Sequence, residues 1–177
     1  SRCWNSAQQL EDLRVYDDDN ILYTFHNYSP FEFTHQQGVL QASCMFYNRK
    51  MRYPSDDIER YRDFYRVTAG AENPYREFDK IDIEFLRKSM EGAKRFIEKY
   101  PNKILWCGEF GTIRHCDMES RENWMADMIK ILREWDIPYC VWNYLSTPND
   151  GNRFSLTDDD TRCILSGRMK KIINGDV

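Results

Sequence analysis

The stretch KILWCGEFG, residues 103–111, decides the fold. Ile104, Leu105, Trp106 and Cys107 form a continuous apolar run behind the helix-stopping pair Pro101-Asn102. A run of this length, bounded by turn residues, reads as a buried strand. It ends on a carboxylate, Glu109, which is costly to bury without partners. Gly108 and Gly111 flank it and permit close backbone approach. On the residues alone Glu109 has two readings: a functional carboxylate at a strand end, or a structural one facing solvent or paired to an Arg.

Working outward, Ile83, Leu86, Met90, Ala93, Ile97 and Tyr100 recur at helical spacing and predict one helix over 83–100. On the other side, Ser120 is the expected cap of a helix carrying Trp124, Met128, Ile131 and Trp135 on one face. IPYCVWNY (137–144) and ILYTFHNY (21–28) read as two further buried strands. Ser6 to Tyr16 reads as a short helix. Thr157, followed by three Asp residues, is the expected cap of a last helix reaching about Ile173. Residues 29–79 form a long connection with short helical pieces, such as 56–65, and its length marks it as functional or as an insertion. Strands alternating with helices imply a parallel sheet covered by helices, an α/β fold in one domain spanning 1–177. Three strands cannot close a barrel and leave bare edges, so closure calls for a partner chain or self-association.

Composition narrows the function classes. The 177 residues carry a formal charge of −4 with acids and bases intermixed, which offers no basic stripe to nucleic acid and no basic amphipathic helix to a membrane. No apolar run is long enough to span a bilayer, and SRCWNSAQQL is not a signal peptide. The six cysteines show no zinc spacing, and Cys107 and Cys140 read as small buried hydrophobes. Asp158 to Asp160 lack the alternating spacing of a calcium loop, so neither metal nor cofactor is expected. Aromatic residues reach 15%, which fits a ring-rich core or a surface that stacks on sugars.

Each strand ends in chemistry: His26 and Tyr28, then Glu109, then Trp142 and Asn143. In parallel α/β folds ligands bind at that end. Strict alternation puts Cys107 and Glu109 on one face, and His26 with Tyr28 on one face. Placing Glu109, His26 and Tyr28 on the inner face gathers them into one site.

CGEFG, followed by a helix carrying RENW (121–124), resembles the nucleophile strand of glycoside hydrolase family 5. HNYSPFEFTHQ (26–36) is similar to that family's preceding strand and loop, VWNY (141–144) to its last strand, and WNSAQQL (4–10) to the turn after its fifth strand. The resemblance implies the C-terminal part of a TIM (β/α)8 barrel, about strands 6–8, and a retaining hydrolase acting on β-linked oligo- or polysaccharide, with a β-1,4-glucan favoured. It implies Glu109 as nucleophile, Tyr28 orienting it, and His26 contacting substrate or the catalytic carboxylates. Trp142 would stack on a sugar, with Asn143, His35, Gln36 and Trp4 on the substrate side. His35 and Gln36 are equally open to pinning their loop, and Trp4 to packing. The family's acid/base Glu follows an Asn, and no Asn-Glu pair occurs in this sequence. The chain is therefore expected to hold the nucleophile half of a two-carboxylate mechanism, with an N-terminal half-barrel chain or a second copy as partner. Family analogy also implies a secreted or periplasmic enzyme. Two other readings stay open: a non-catalytic carbohydrate-binding or scaffold fragment, and an unrelated α/β domain in which Glu109 is structural.

Overall fold

A computed structural model describes residues 5–68, 74–147 and 149–176. Trp4 lies outside them. The two strands at its centre are β1 (Leu22–His26) and β2 (Ile104–Glu109), paired in parallel from Leu22 against Ile104 to Phe25 against Cys107. Burial alternates as a pleated strand requires. Tyr23, Phe25, Leu105 and Cys107 are buried against the helices. Leu22, Thr24, His26, Ile104 and Trp106 occupy the opposite, inner face, where Leu22 is 47% and Ile104 55% exposed.

Before β1 the chain makes a 3-10 helix, Ala7–Asp12, shorter than the 6–16 helix expected, and Ser6 forms a parallel bridge to His26. The long connection holds α1 (Phe31–Thr34), α2 (Ala42–Tyr47) and α3 (Ile58–Thr68). The single helix expected over 83–100 is two: α4 (Ile83–Ser89) and α5 (Glu91–Lys99). The Ser89 hydroxyl donates to the Leu86 carbonyl at 2.7 Å, and the Met90 N–H is shared between the Leu86 and Arg87 carbonyls. This local side-chain bond and tightened last turn end α4. Gly92 then lies flush against the Ala7 carbonyl, where any Cβ would overlap it.

The long helix α6 runs Met118–Glu134 and is capped by Asp117, not by Ser120. Asp117 sits three residues upstream, so its carboxylate reaches the Ser120 N–H and hydroxyl, both at 2.9 Å. The last helix, α7 (Gly167–Asn174), is capped by Ser166, nine residues after the cap expected at Thr157. Asp158 instead accepts from the N–H groups of Asp160 and Thr161, closing a local turn that competes with helix.

The third expected strand is present only as an isolated parallel bridge from Tyr139 to Cys107. Pro138 has no N–H to give, and only its carbonyl joins the ladder, accepting from Cys107 at 2.9 Å. Cys140 is exposed rather than buried, whereas Cys107 is fully buried. Trp124 anchors the core from α6, buried completely and donating its indole N–H to the Ser29 carbonyl at 2.9 Å. That bond fastens the loop behind Tyr28 to the helix layer. No helix of the described residues is long and apolar enough to cross a membrane.

Candidate active site

The pairing of the two strands changes step where the chemistry begins. Phe25 faces Cys107, but His26 faces Glu109, so Gly108 is an extra residue in β2. This is the geometry of a β-bulge, which re-aims the side chain that follows. Strict alternation would have put Glu109 with Cys107. Instead Cys107 points into the helix layer and Glu109 joins His26 and Tyr28. A Cβ on Gly108 would stand 2.7 Å from Thr24 Oγ1 and 3.3 Å from His26 Nε2, so the residue beneath the site must be small.

Glu109 is partly open, with 31% of its side chain exposed. The Tyr28 hydroxyl donates to its Oε2 at 3.0 Å, and His26 Nδ1 lies 3.5 Å from the same oxygen. Burial, followed by the charge and hydrogen bond of Glu109, pushes the Tyr28 phenol well above its ordinary pKa, so it stays a donor. The Glu109 main chain is also held, because its carbonyl accepts from the Asn27 N–H at 3.0 Å.

Trp142 comes to the site through backbone contact. Its N–H donates to the Phe110 carbonyl at 2.8 Å. Gly111 lies against the Trp142 carbonyl so closely that any Cβ there would overlap it. The ring is 44% exposed, unlike the buried Trp124. The peptide joining Trp142 to Asn143 is cis. Asn143 is half-buried, and its Oδ1 accepts from the Ser146 hydroxyl at 3.2 Å.

His35 and Gln36 are both buried, and their contacts pin the loop that follows β1. His35 is 4% exposed, stacks on Phe31 with ring centres 3.9 Å apart, and meets Tyr28 and Phe154 edge-on. Burial drives its pKa down to about 3, so the ring is neutral and acts as a flat apolar support behind Tyr28. Gln36 is buried too. Its amide donates to the carbonyls of Phe33 and Met51 and accepts from the Met51 N–H, at 3.2, 3.0 and 3.0 Å. Phe154 was not singled out from the sequence, yet it packs edge-on against Tyr28 at 5.7 Å. Its place, twelve residues beyond Trp142 and after a Pro/Asn/Asp/Gly loop, gives no periodic signal.

Three main-chain bonds stitch the loops around the site. Ile113 donates to Thr34 at 2.8 Å, Arg114 to Arg153 at 2.7 Å, and Leu156 to Asn143 at 3.0 Å. No cluster of three or more potential metal ligands occurs among the described residues. A cavity of about 510 Å³ opens elsewhere, between Pro30, Glu32, Tyr65 and Phe85, and none of His26, Tyr28, Glu109 or Trp142 lines it. The carboxylate, its tyrosine donor and the histidine instead meet at the strand ends, and the partly exposed Trp142 is tied by its backbone to Phe110, the residue after Glu109. That arrangement can present an anionic oxygen to an electrophilic carbon beside an apolar stacking surface.

Comparison with known proteins gives this arrangement a family. Residues 2–147 match the family model described as Cellulase (glycosyl hydrolase family 5). Endoglucanase C of Acetivibrio thermocellus is 42% identical over 147 residues, covering 80% of this chain and 41% of that protein. Endoglucanase C307 of Clostridium sp. (strain F1) is likewise 42% identical over 147 residues. Cel5A of Thermotoga maritima, solved in complex with cellobiose, superposes with a TM-score of 0.70 over 96% of this chain and 45% of that one, at 19% identity. That last likeness is one of fold, and the fold is the C-terminal part of a TIM (β/α)8 barrel. The chain spans less than half the length of these relatives. With the family match covering most of its residues, the chain belongs to glycoside hydrolase family 5.

Proposed function

We propose that this chain carries the nucleophile half of a retaining β-glycosidase acting on a β-1,4-glucan or a related plant polysaccharide. The observation that carries the reading is the Tyr28–Glu109 hydrogen bond at 3.0 Å, beside an exposed Trp142. A Glu109 oxygen attacks the anomeric carbon, Tyr28 fixes which oxygen attacks, and His26 borders the same oxygen. Trp142 supplies the face on which the sugar stacks, with Asn143 beside it. Retention needs a second carboxyl about 5–5.5 Å away to protonate the leaving group. In this family the acid/base Glu follows an Asn, and no Asn-Glu pair occurs in this sequence. The acid/base therefore comes from the remainder of the barrel, supplied by an N-terminal half-barrel or a second copy that covers the exposed inner face at Leu22 and Ile104. Without it, natural substrates lose general acid catalysis, a contribution of about 10²–10⁴-fold. Secretion or a periplasmic location follows from the reading, since the polymer is outside the cell.

The test uses a substrate whose leaving group needs no proton. With 2-deoxy-2-fluoro-β-cellobiosyl fluoride, a Glu109 oxygen bonds to the anomeric carbon while the carbon–fluorine bond breaks and fluoride departs. The fluorine at position 2 slows hydrolysis of the resulting ester, so the adduct accumulates. The expected result is one added fluoro-cellobiosyl group on the intact chain, located on Glu109 by peptide mass spectrometry and absent from Glu109→Gln. A chain that gains no label overturns the reading in favour of a non-catalytic fragment.

A further inference from the structure

Arg121 opens the RENW segment of α6, and its side chain is 2% exposed. A guanidinium in such a place is normally matched by a carboxylate. Here it makes no ion pair among the described residues, and the neighbouring carboxylate, Glu122, is turned toward Ser166 and Arg168. Arg121 spends its donors on neutral oxygens: Nε on the Thr112 hydroxyl at 3.2 Å, and Nη2 on the carbonyls of Thr112 and Ser155, at 3.3 and 3.2 Å. Thr112 and Ser155 are themselves fully buried.

The two oxygen sources belong to different halves of the site. Thr112 is three residues past Glu109, in the turn that leaves β2. Ser155 lies in the loop that leaves Trp142 and returns to it, since Leu156 donates to Asn143 and Phe154 to the Ser146 hydroxyl. Phe154, adjacent to Ser155, supports the Tyr28 ring. One planar, rigid fork therefore spans the turn below the carboxylate and the loop below the indole. A lysine has the charge but cannot hold two separated segments in one plane.

Resting on the reading of Glu109 as nucleophile, we infer that Arg121 is a positioning residue: it fixes the turn carrying Glu109 relative to the loop carrying Trp142. It touches no substrate. Its effect is on the distance and angle between the attacking oxygen and a sugar already stacked on Trp142. Small displacements of that kind weigh on the chemical step far more than on binding.

The experiment measures labelling by the same fluoride and separates its limiting rate from its half-saturation concentration. Arg121→Lys is expected to lower the limiting rate about 10²-fold, with half-saturation nearly unchanged. Thr112→Val removes one acceptor at constant volume, and the expected fall is about tenfold. Thr112→Ser keeps the hydroxyl and restores most of the rate. A purely structural role would lower the folded fraction, and hence the labelling end point, while leaving the rate of the folded molecules at the wild-type value. If Arg121→Lys does not fold, the Thr112 pair decides. Wild-type rates in Arg121→Lys and Thr112→Val overturn the inference alone. A wild-type chain that takes no label overturns the nucleophile reading and this inference together.

Discussion

The Tyr28 hydroxyl reaches Glu109 Oε2 at 3.0 Å because β1 and β2 fall out of step at Gly108. A hydrogen bond to a charged acceptor is worth about 1.5–3 kcal/mol. Tyr28→Phe should therefore slow fluoro-sugar labelling about ten- to hundredfold, with little change in thermal stability. Stopped-time mass spectrometry of the labelled fraction checks it. Labelling at the wild-type rate would leave Tyr28 with no orienting role.

Gly111 and the Trp142 carbonyl are packed without room for a methyl group. Gly111→Ala must push the two segments apart, and overpacking of this kind costs about 1–3 kcal/mol. The expected outcome is a lower midpoint in urea unfolding together with weaker sugar binding, because the loop bearing Trp142 is what moves. Trp142→Ala should weaken binding and move the midpoint less than Gly111→Ala does, since Trp142 is 44% exposed.

Gln36 makes three bonds that hold Met51 and Phe33, and its removal would strand the buried Met51 N–H. Leaving one such donor unsatisfied costs about 1–3 kcal/mol. Gln36→Leu should accordingly destabilise the chain in chemical denaturation while the folded molecules keep their affinity for cello-oligosaccharide. A selective loss of affinity at unchanged stability would return Gln36 to the substrate side.

Glu32 is fully buried in α1 with no cation paired to it among the described residues, and burial lifts its carboxyl to about 7 against the opposing hydrogen bonds of Tyr75 and Tyr65. A carboxyl whose folded pKa lies above its unfolded value near 4.5 favours the fold while protonated. Its contribution is complete below the unfolded pKa and is lost as pH rises toward about 7. Glu32→Gln, which mimics the protonated form, should remove that decline and be more stable than wild type at pH 8. Urea midpoints of both proteins from pH 4.5 to 8 give the comparison. Parallel curves would refute it.

The parts of this molecule that were legible in the sequence are those governed by one-dimensional patterns. The apolar runs at 22–26 and 104–107 became paired strands, and the strand-end residues His26, Tyr28 and Glu109 converged as expected. What was illegible depends on pairing or on competition between local bonds. Nothing in CGEF announces that Gly108 is skipped by the ladder; that follows from which residue of β1 it meets. The run at 137–144 has the composition of a strand but pairs on one side only, and Pro138 withholds a donor. For His35 and Gln36 the sequence leaves substrate contact and loop pinning both open, and it is the packing of Phe31 and Phe154 around His35 and the bonds of Gln36 to Phe33 and Met51 that show both side chains are interior. Asp117 displaced Ser120 as the α6 cap simply by being closer to the right N–H.

The loops that frame the site are joined by main-chain hydrogen bonds: Ile113 to Thr34, Arg114 to Arg153, Trp142 to Phe110. Such links are indifferent to side-chain identity. Rim side chains can therefore change without loss of the bonds that hold the loops around Glu109.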